Sequence, residues 1–216
     1  KHDQANEREV EPHEILYNSN LALMYGAKYL SLFTYFAQTD ISKCASGQTC
    51  SGIVNIDGDS LVYTDKYYLL KNTLKLRFKG LFGKTLKKLT PTEQILDLNA
   101  SSHYNFINNF SGNVDCLPAI SHYDLGFFTD SFSRDYFMVI SRWYNFSGAC
   151  PIYANLDPSQ FNYTNISLTK YVADTTYTVL SNASIKIDLS IGDAELIKVV
   201  PVVKYGGSLI VNETTL

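Results

Sequence analysis

Hydrophobic and polar positions change their rhythm near Thr90-Pro91. Before that point, apolar residues recur at helical spacing or in short continuous runs. Pro12 suits the first position of a helix, where its missing N–H costs nothing. The segment PHEILYNSNLALMY is therefore predicted as a helix, with Leu16, Ser19, Ala22 and Leu23 on one face and Gly26 as its stop. AKYLSLFTYF follows, apolar and aromatic throughout, and predicts a strand buried on both faces, as in parallel sheets. Residues 37–60 read as a loop with a turn at Asp57-Gly58. The longest helix is expected from Asp65 to Leu89, its apolar face carrying Tyr67, Leu70, Leu74, Phe78, Leu81 and Leu86. Lys75, Arg77, Lys79, Lys84, Lys87 and Lys88 crowd its second half and read as a solvated face that complements the helix C-terminus.

After Pro91 the runs shorten and alternate. EQILDL, SHYDLGFFT, DYFMVISRWY, NISLTKY, TYTVLS, ASIKIDL and AELIKVVPV are separated by turn clusters, the pattern of an antiparallel sandwich. VVKYGGSLIVNETTL reads as a further strand pair. The organisation expected is thus 1–90, 91–201 and a short segment, 202–216, that is a linker or the start of a further β module. The chain opens on Lys1 without an apolar leader-like region, and both ends are expected to be module boundaries.

Composition narrows the function classes. The 216 residues are 45% apolar and 18% charged, which excludes a disordered tail, a collagen-like fibre and a coiled coil. A net charge of −3 leaves no basic surplus for phosphates, so nucleic acid is not an expected partner. There is no Walker loop and no GxGxxG, so no nucleotide cofactor is expected, and no other cofactor is implied. No apolar run reaches the length of a membrane span. The 16 Tyr and 12 Phe suit half-buried strands and sugar-facing surfaces.

Four cysteines, Cys44, Cys50, Cys116 and Cys150, are disulfide candidates and allow three pairings. Their spacing does not fit a metal site, and the scattered His2, His13, His103 and His122 do not supply one. Seven N-glycosylation sequons, at Asn99, Asn109, Asn145, Asn162, Asn165, Asn182 and Asn212, exceed chance and fit a secreted or cell-surface chain. The same residues also fill turns and exposed strand faces of any β-sandwich. Asp3, Glu7, Glu9, Glu11 and Glu14 cluster where a helix dipole favours acids. No serine lies in a GxSxG elbow. Trp143, between Arg142 and Tyr144, reads as a residue covered by packing, with an exposed sugar-stacking patch as the alternative.

The order of parts resembles the C-terminal end of a β-galactosidase-like (β/α)8-barrel glycoside hydrolase with its β-sandwich. Leu21-Ala22-Leu23-Met24-Tyr25-Gly26-Ala27-Lys28 resembles the L-A-x-x-x-G-A-K pattern that leads into the eighth barrel strand. Phe137-Met138-Val139-Ile140-Ser141-Arg142 is similar to the family's F-x-V-x-N-R, with Ser141 for Asn. Gly192-Asp193 and Leu196 resemble its closing hairpin, and the resemblance spans roughly residues 8–200.

The resemblance implies an α+β class: helix, strand and long helix closing a barrel, then an antiparallel sandwich. It implies a secreted, multi-domain protein acting on carbohydrate. Glycosidases of this kind use two carboxylates about 5–5.5 Å apart at barrel strand ends. If Tyr29–Phe36 is the eighth strand, both are expected before Lys1, and this chain holds no catalytic residue of its own. The eighth strand's end would then offer Tyr35, Phe36 and Gln38, beside Thr34, to a sugar. An unpaired apolar strand with Leu30, Leu32 and Phe33 would also seek the rest of its parent chain or another subunit. Two further readings stand beside this one: a non-catalytic carbohydrate-binding or adhesion module, and the ectodomain of a viral or cell-surface glycoprotein.

Overall fold

The computed structural model describes residues 10–31, 36–37, 52–57, 59–99, 101–112, 122–142, 150–161, 165–180, 184–205 and 208–210. Helix α1, Pro12–Met24, starts as its sequence requires. Glu11 is the extended N-cap residue, and the Glu14 carboxylate accepts its backbone N–H at 2.9 Å. The helix ends at Gly26, whose φ of +90° suits glycine, and a Cβ there would lie 2.8 Å from Pro91 Cγ. Three short strands follow: β1, Phe36–Ala37, β2, Val54–Asp57, and β3, Ser60–Tyr63. β1 pairs parallel with β2, and β2 pairs antiparallel with β3.

A broken helical stretch comes next. Helix α2, Asp65–Leu69, runs through a π-helical turn, Leu70–Leu74, into α3, Lys75–Lys79. Gly80 is extended and separates α3 from α4, Leu81–Leu86.

The rest is strand. In chain order these are β4, Thr90–Ile95; β5, Ile107–Gly112; β6, Tyr123–Thr129; β7, Asp135–Ser141; β8, Cys150–Leu156; β9, Asn165–Lys170; β10, Thr175–Leu180; β11, Ser184–Leu189; β12, Ala194–Tyr205; and β13, Ser208–Ile210. A large sheet has the order β10-β9-β12-β7-β6-β4, with β13 also on β12. A smaller one has the order β11-β8-β5. Their neighbouring strands are antiparallel throughout.

The two sheets share one core. Phe127, Phe137, Val139 and Ile197 of the large sheet meet Phe110, Ile152, Ile185 and Ile187 of the small one. On the large sheet's other face, Phe128, Met138, Ile140 and Leu196 meet Met24, Phe82 and Leu86 of the helices. Strand alternation makes this possible: Phe137 and Val139 point one way, Met138 and Ile140 the other. Tyr136–Ile140 of β7 is therefore an unbroken apolar run between two covering layers. Each such side chain, fully buried, contributes roughly 1.5–3 kcal/mol of hydrophobic stabilisation. α1 lies so close to β6 that a Cβ on Gly126 would stand 2.3 Å from Met24 Cγ.

This architecture corrects the expected α+β class and its barrel end. Among the described residues there are three mostly antiparallel sheets, short helices and no β/α alternation. Of the predicted eighth strand, Tyr29, Leu30 and Ser31 lie outside any strand, Tyr29 is 91% exposed, and Phe36 belongs to the two-residue β1; residues 32–35 lie outside the described residues. The predicted helix Asp65–Leu89 runs through the π turn to Lys79, is broken at the extended Gly80 and resumes as Leu81–Leu86. An aromatic apolar run records a capacity for burial and not its occurrence. With the barrel goes the placing of Tyr35, Phe36 and Gln38 at the end of an eighth barrel strand.

Candidate ligand-binding site

The residues singled out in the sequence separate into three groups. Tyr35, Gln38, Thr34, Cys44, Cys50, Cys116, Trp143, Asn145, Asn162, Asn182 and Asn212 lie outside the described residues, as do Asp3, Glu7 and Glu9. Phe36, Cys150 and Asn165 are described as strand backbone, paired with Val54, with Leu189 and with both Leu180 and Val202. The remainder have structural settings. Glu11 and Glu14 form the α1 cap. Lys75, Lys79, Lys84, Lys87 and Lys88 are exposed, but Arg77 turns inward to Asp193 at 2.6 Å.

The resembling motifs also take structural roles. Lys28 reaches across to α4 and donates to the carbonyls of Leu86 at 2.9 Å and Leu89 at 2.7 Å, a cation on a helix C-terminus. Burial lowers its pKa. A pocket of about 270 Å³ opens beside it, walled by Leu23, Ala27, Leu30 and Phe78. Gly192 has φ +71°, and a Cβ there would fall 2.2 Å from the His13 carbonyl oxygen. Asn20 donates to the Gly192 carbonyl at 2.9 Å, and Asp193 holds Arg77. The Gly-Asp turn is thus where the helical layer seats on the sheet.

Two buried carboxylates hold backbone and side-chain donors. Asp124 accepts from Tyr17 Oη at 2.9 Å and from the Asp97 N–H at 3.0 Å. Burial pushes its pKa up, against the Tyr17 hydrogen bond. The Tyr17 phenol is itself pushed up to about 12 by burial and by Asp124. Arg142 is ion-paired with Asp97 beside it. Glu195 accepts from Val172 N at 2.7 Å and Ala173 N at 3.1 Å, and burial raises it too. Both sites tie elements together.

One surface is different. β3 is exposed along its length, with Leu61, Val62 and Tyr63 all uncovered. Thr64 then turns the chain into α2, its hydroxyl donating to Ile53 O at 2.8 Å and so tying the corner to the residue before β2. Tyr63, Tyr67 and Lys71 are spaced by four, and all three line up. The Tyr63 and Tyr67 rings stack at 4.3 Å with planes 30° apart, and Lys71 Nζ lies 5.7 Å over Tyr67. Tyr68 meets Tyr67 edge-on at 5.5 Å. Tyr63 is 48% and Tyr68 47% exposed. Two half-exposed tyrosines, Tyr63 and Tyr68, and the exposed Lys71 thus stand around Tyr67 at one corner. Such a surface can stack on an apolar ring face while donating and accepting hydrogen bonds at its edges.

Helical periodicity places Tyr67 on the buried face of a long helix, so it hides this cluster. The legible signal is the Tyr63, Tyr67, Tyr68 spacing across the Thr64-Asp65 helix start. Among the described residues, no three His, Cys, Asp or Glu side chains are grouped to hold a metal ion. No helix among them is long and apolar enough to cross a membrane. Compared with protein-family models, curated proteins and solved structures, the chain matches none. The β-galactosidase-like resemblance therefore has no relative behind it.

Proposed function

We propose that this chain is a carbohydrate-binding module whose ligand face is the Tyr63–Tyr67–Tyr68 corner. The observation that carries the reading is the pair of half-exposed tyrosines, Tyr63 and Tyr68, flanking the partly buried Tyr67. Tyrosine rings left half-exposed together at one corner favour a ligand with an apolar face. A pyranose has such a face, formed by its axial C–H groups, and a rim of hydroxyls. The tyrosine hydroxyls and Lys71 supply polar partners for that rim. The Thr64 hydroxyl ties the corner to Ile53, just before β2, and such a tether limits the entropy lost on binding.

The test is calorimetric titration of the full chain with cellohexaose, maltohexaose and a β-galactohexaose. At least one is expected to bind, and Tyr63→Ala is expected to weaken that binding about tenfold, equivalent to about 1.4 kcal/mol. Tyr63→Phe keeps the stacking face and should lose much less. No binding by any of the three, or binding that Tyr63→Ala leaves unchanged with the melting temperature intact, overturns the proposal.

A further inference from the structure

Three sequons have both their asparagine and their hydroxyl residue among the described residues: Asn99–Ser101, Asn109–Ser111 and Asn165–Ser167. Their settings differ sharply. Asn99 and Ser101 are both exposed, in the loop after β4. The Asn99 Oδ1 accepts from Ser101 N at 3.0 Å and from Ser101 Oγ at 3.1 Å. The sequon hydroxyl is thus already turned onto the acceptor amide, and Nδ2 is the amide atom that this turn does not use. The Tyr104 hydroxyl clamps the same residue's backbone, accepting from Asn99 N at 2.7 Å and donating to Asn99 O at 3.2 Å.

Asn109 sits in β5 on the outer face of the small sheet. Its Oδ1 accepts from Asn155 Nδ2, and Asn155 Oδ1 accepts from Ser184 Oγ, a row that crosses all three strands. Asn109 and Ser111 are held extended in β5 by pairing with Asn155 and Tyr153, so this sequon does not make the turn that brings hydroxyl and amide together at Asn99. Asn165 lies in β9, paired on both sides, and its sequon serine, Ser167, is buried.

We infer that Asn99 is an N-glycosylation site of the folded chain and that Asn109 and Asn165 are not. The chemical partner is a lipid-linked oligosaccharyl diphosphate, presented by the oligosaccharyltransferase of a secretory host. Asn99 Nδ2 attacks the anomeric carbon. The Nδ2–C1 bond forms, the bond from C1 to the phosphate oxygen breaks, the lipid diphosphate leaves with the bonding pair, and one amide proton goes to base. The exposed turn leaves room for the product, and the Tyr104 clamp holds the acceptor in place.

The experiment is to secrete the full chain from a eukaryotic host, isolate the folded fraction, and release N-glycans enzymatically in heavy-oxygen water. Each glycosylated asparagine then becomes a labelled aspartate, read by peptide mass. The expected result is label at position 99 and none at 109 or 165. Ser101→Ala should abolish the label at 99, and Ser101→Thr, which keeps the hydroxyl, should retain it. Absence of label at 99 in folded protein, or label at 109 or 165, overturns the inference. So does retention of the label in Ser101→Ala.

Discussion

Tyr17 on α1 donates a 2.9 Å hydrogen bond to Asp124 on β6, and the carboxylate that receives it is fully buried. The helical layer is held to the large sheet by this polar contact as well as by Met24 and Phe82. Removing the Tyr17 hydroxyl leaves a buried carboxylate oxygen without that donor, the costly direction of the change. Tyr17→Phe should therefore destabilise the chain by about 1–3 kcal/mol. Urea denaturation checks it; an unchanged midpoint would place the contact outside the stability of the fold.

The same carboxylate makes a pH prediction. Asp124 is raised above its ordinary value of 3.8, chiefly by burial. The folded state then binds a proton that the unfolded state has lost, so this group's contribution falls as pH rises from about 3.8 through the folded value. Below the ordinary value the penalty is absent. Glu195 is raised in the same way, so the effect must be isolated by difference. The stability of the chain minus that of Asp124→Asn should decline across that window and then level off. Parallel pH profiles for the two proteins would contradict the assignment.

Asp130 behaves in the opposite sense. Burial would raise it, but donors from Arg134 N at 3.1 Å, Arg134 Nε at 2.6 Å, Phe132 N at 2.9 Å and Tyr136 Oη at 3.0 Å hold it below its ordinary value. Its stabilising contribution is full above that ordinary value and is lost as pH falls through the lower folded one. Asp130→Asn should cost stability at neutral pH and lose that cost progressively in acid. Thermal melts between pH 2 and pH 7 give the comparison.

Gly192→Ala meets two obstacles. The residue has φ +71°, and the new methyl would stand 2.2 Å from the His13 carbonyl oxygen. Strain of that kind costs of order 1–3 kcal/mol before any displacement of α1. A lowered melting temperature is expected, together with faster amide exchange in α1 than in the small sheet.

Much of the β region is written plainly in the sequence. Ser-Ile-Lys-Ile-Asp-Leu becomes β11 with Ile185, Ile187 and Leu189 buried and the polar residues out, because a strand covered on one face must alternate. Pro12 and Gly26 bracket α1 for reasons local to those residues. Tyr29, Leu30 and Ser31 depart from the predicted buried strand because an apolar run carries no information about what will cover it. The π turn at Leu70–Leu74 is also invisible to periodicity: one extra residue in a turn rotates the following face. Asp124 reads as an ordinary strand residue, since its burial depends on α1, which lies more than a hundred positions away. Tyrosine hides the candidate site most effectively, because it satisfies a core pattern and an exposed one equally well.

The claim that Tyr63, Tyr67 and Tyr68 form a sugar face is tested most directly by saturation-transfer NMR on the full chain, irradiating aromatic protons with each hexaose in excess. Transfer to ring C–H protons of at least one sugar is expected, strongly reduced in Tyr63→Ala and preserved in Tyr63→Phe. Absence of transfer to all three sugars, or transfer equal in the Tyr63→Ala chain, would contradict it.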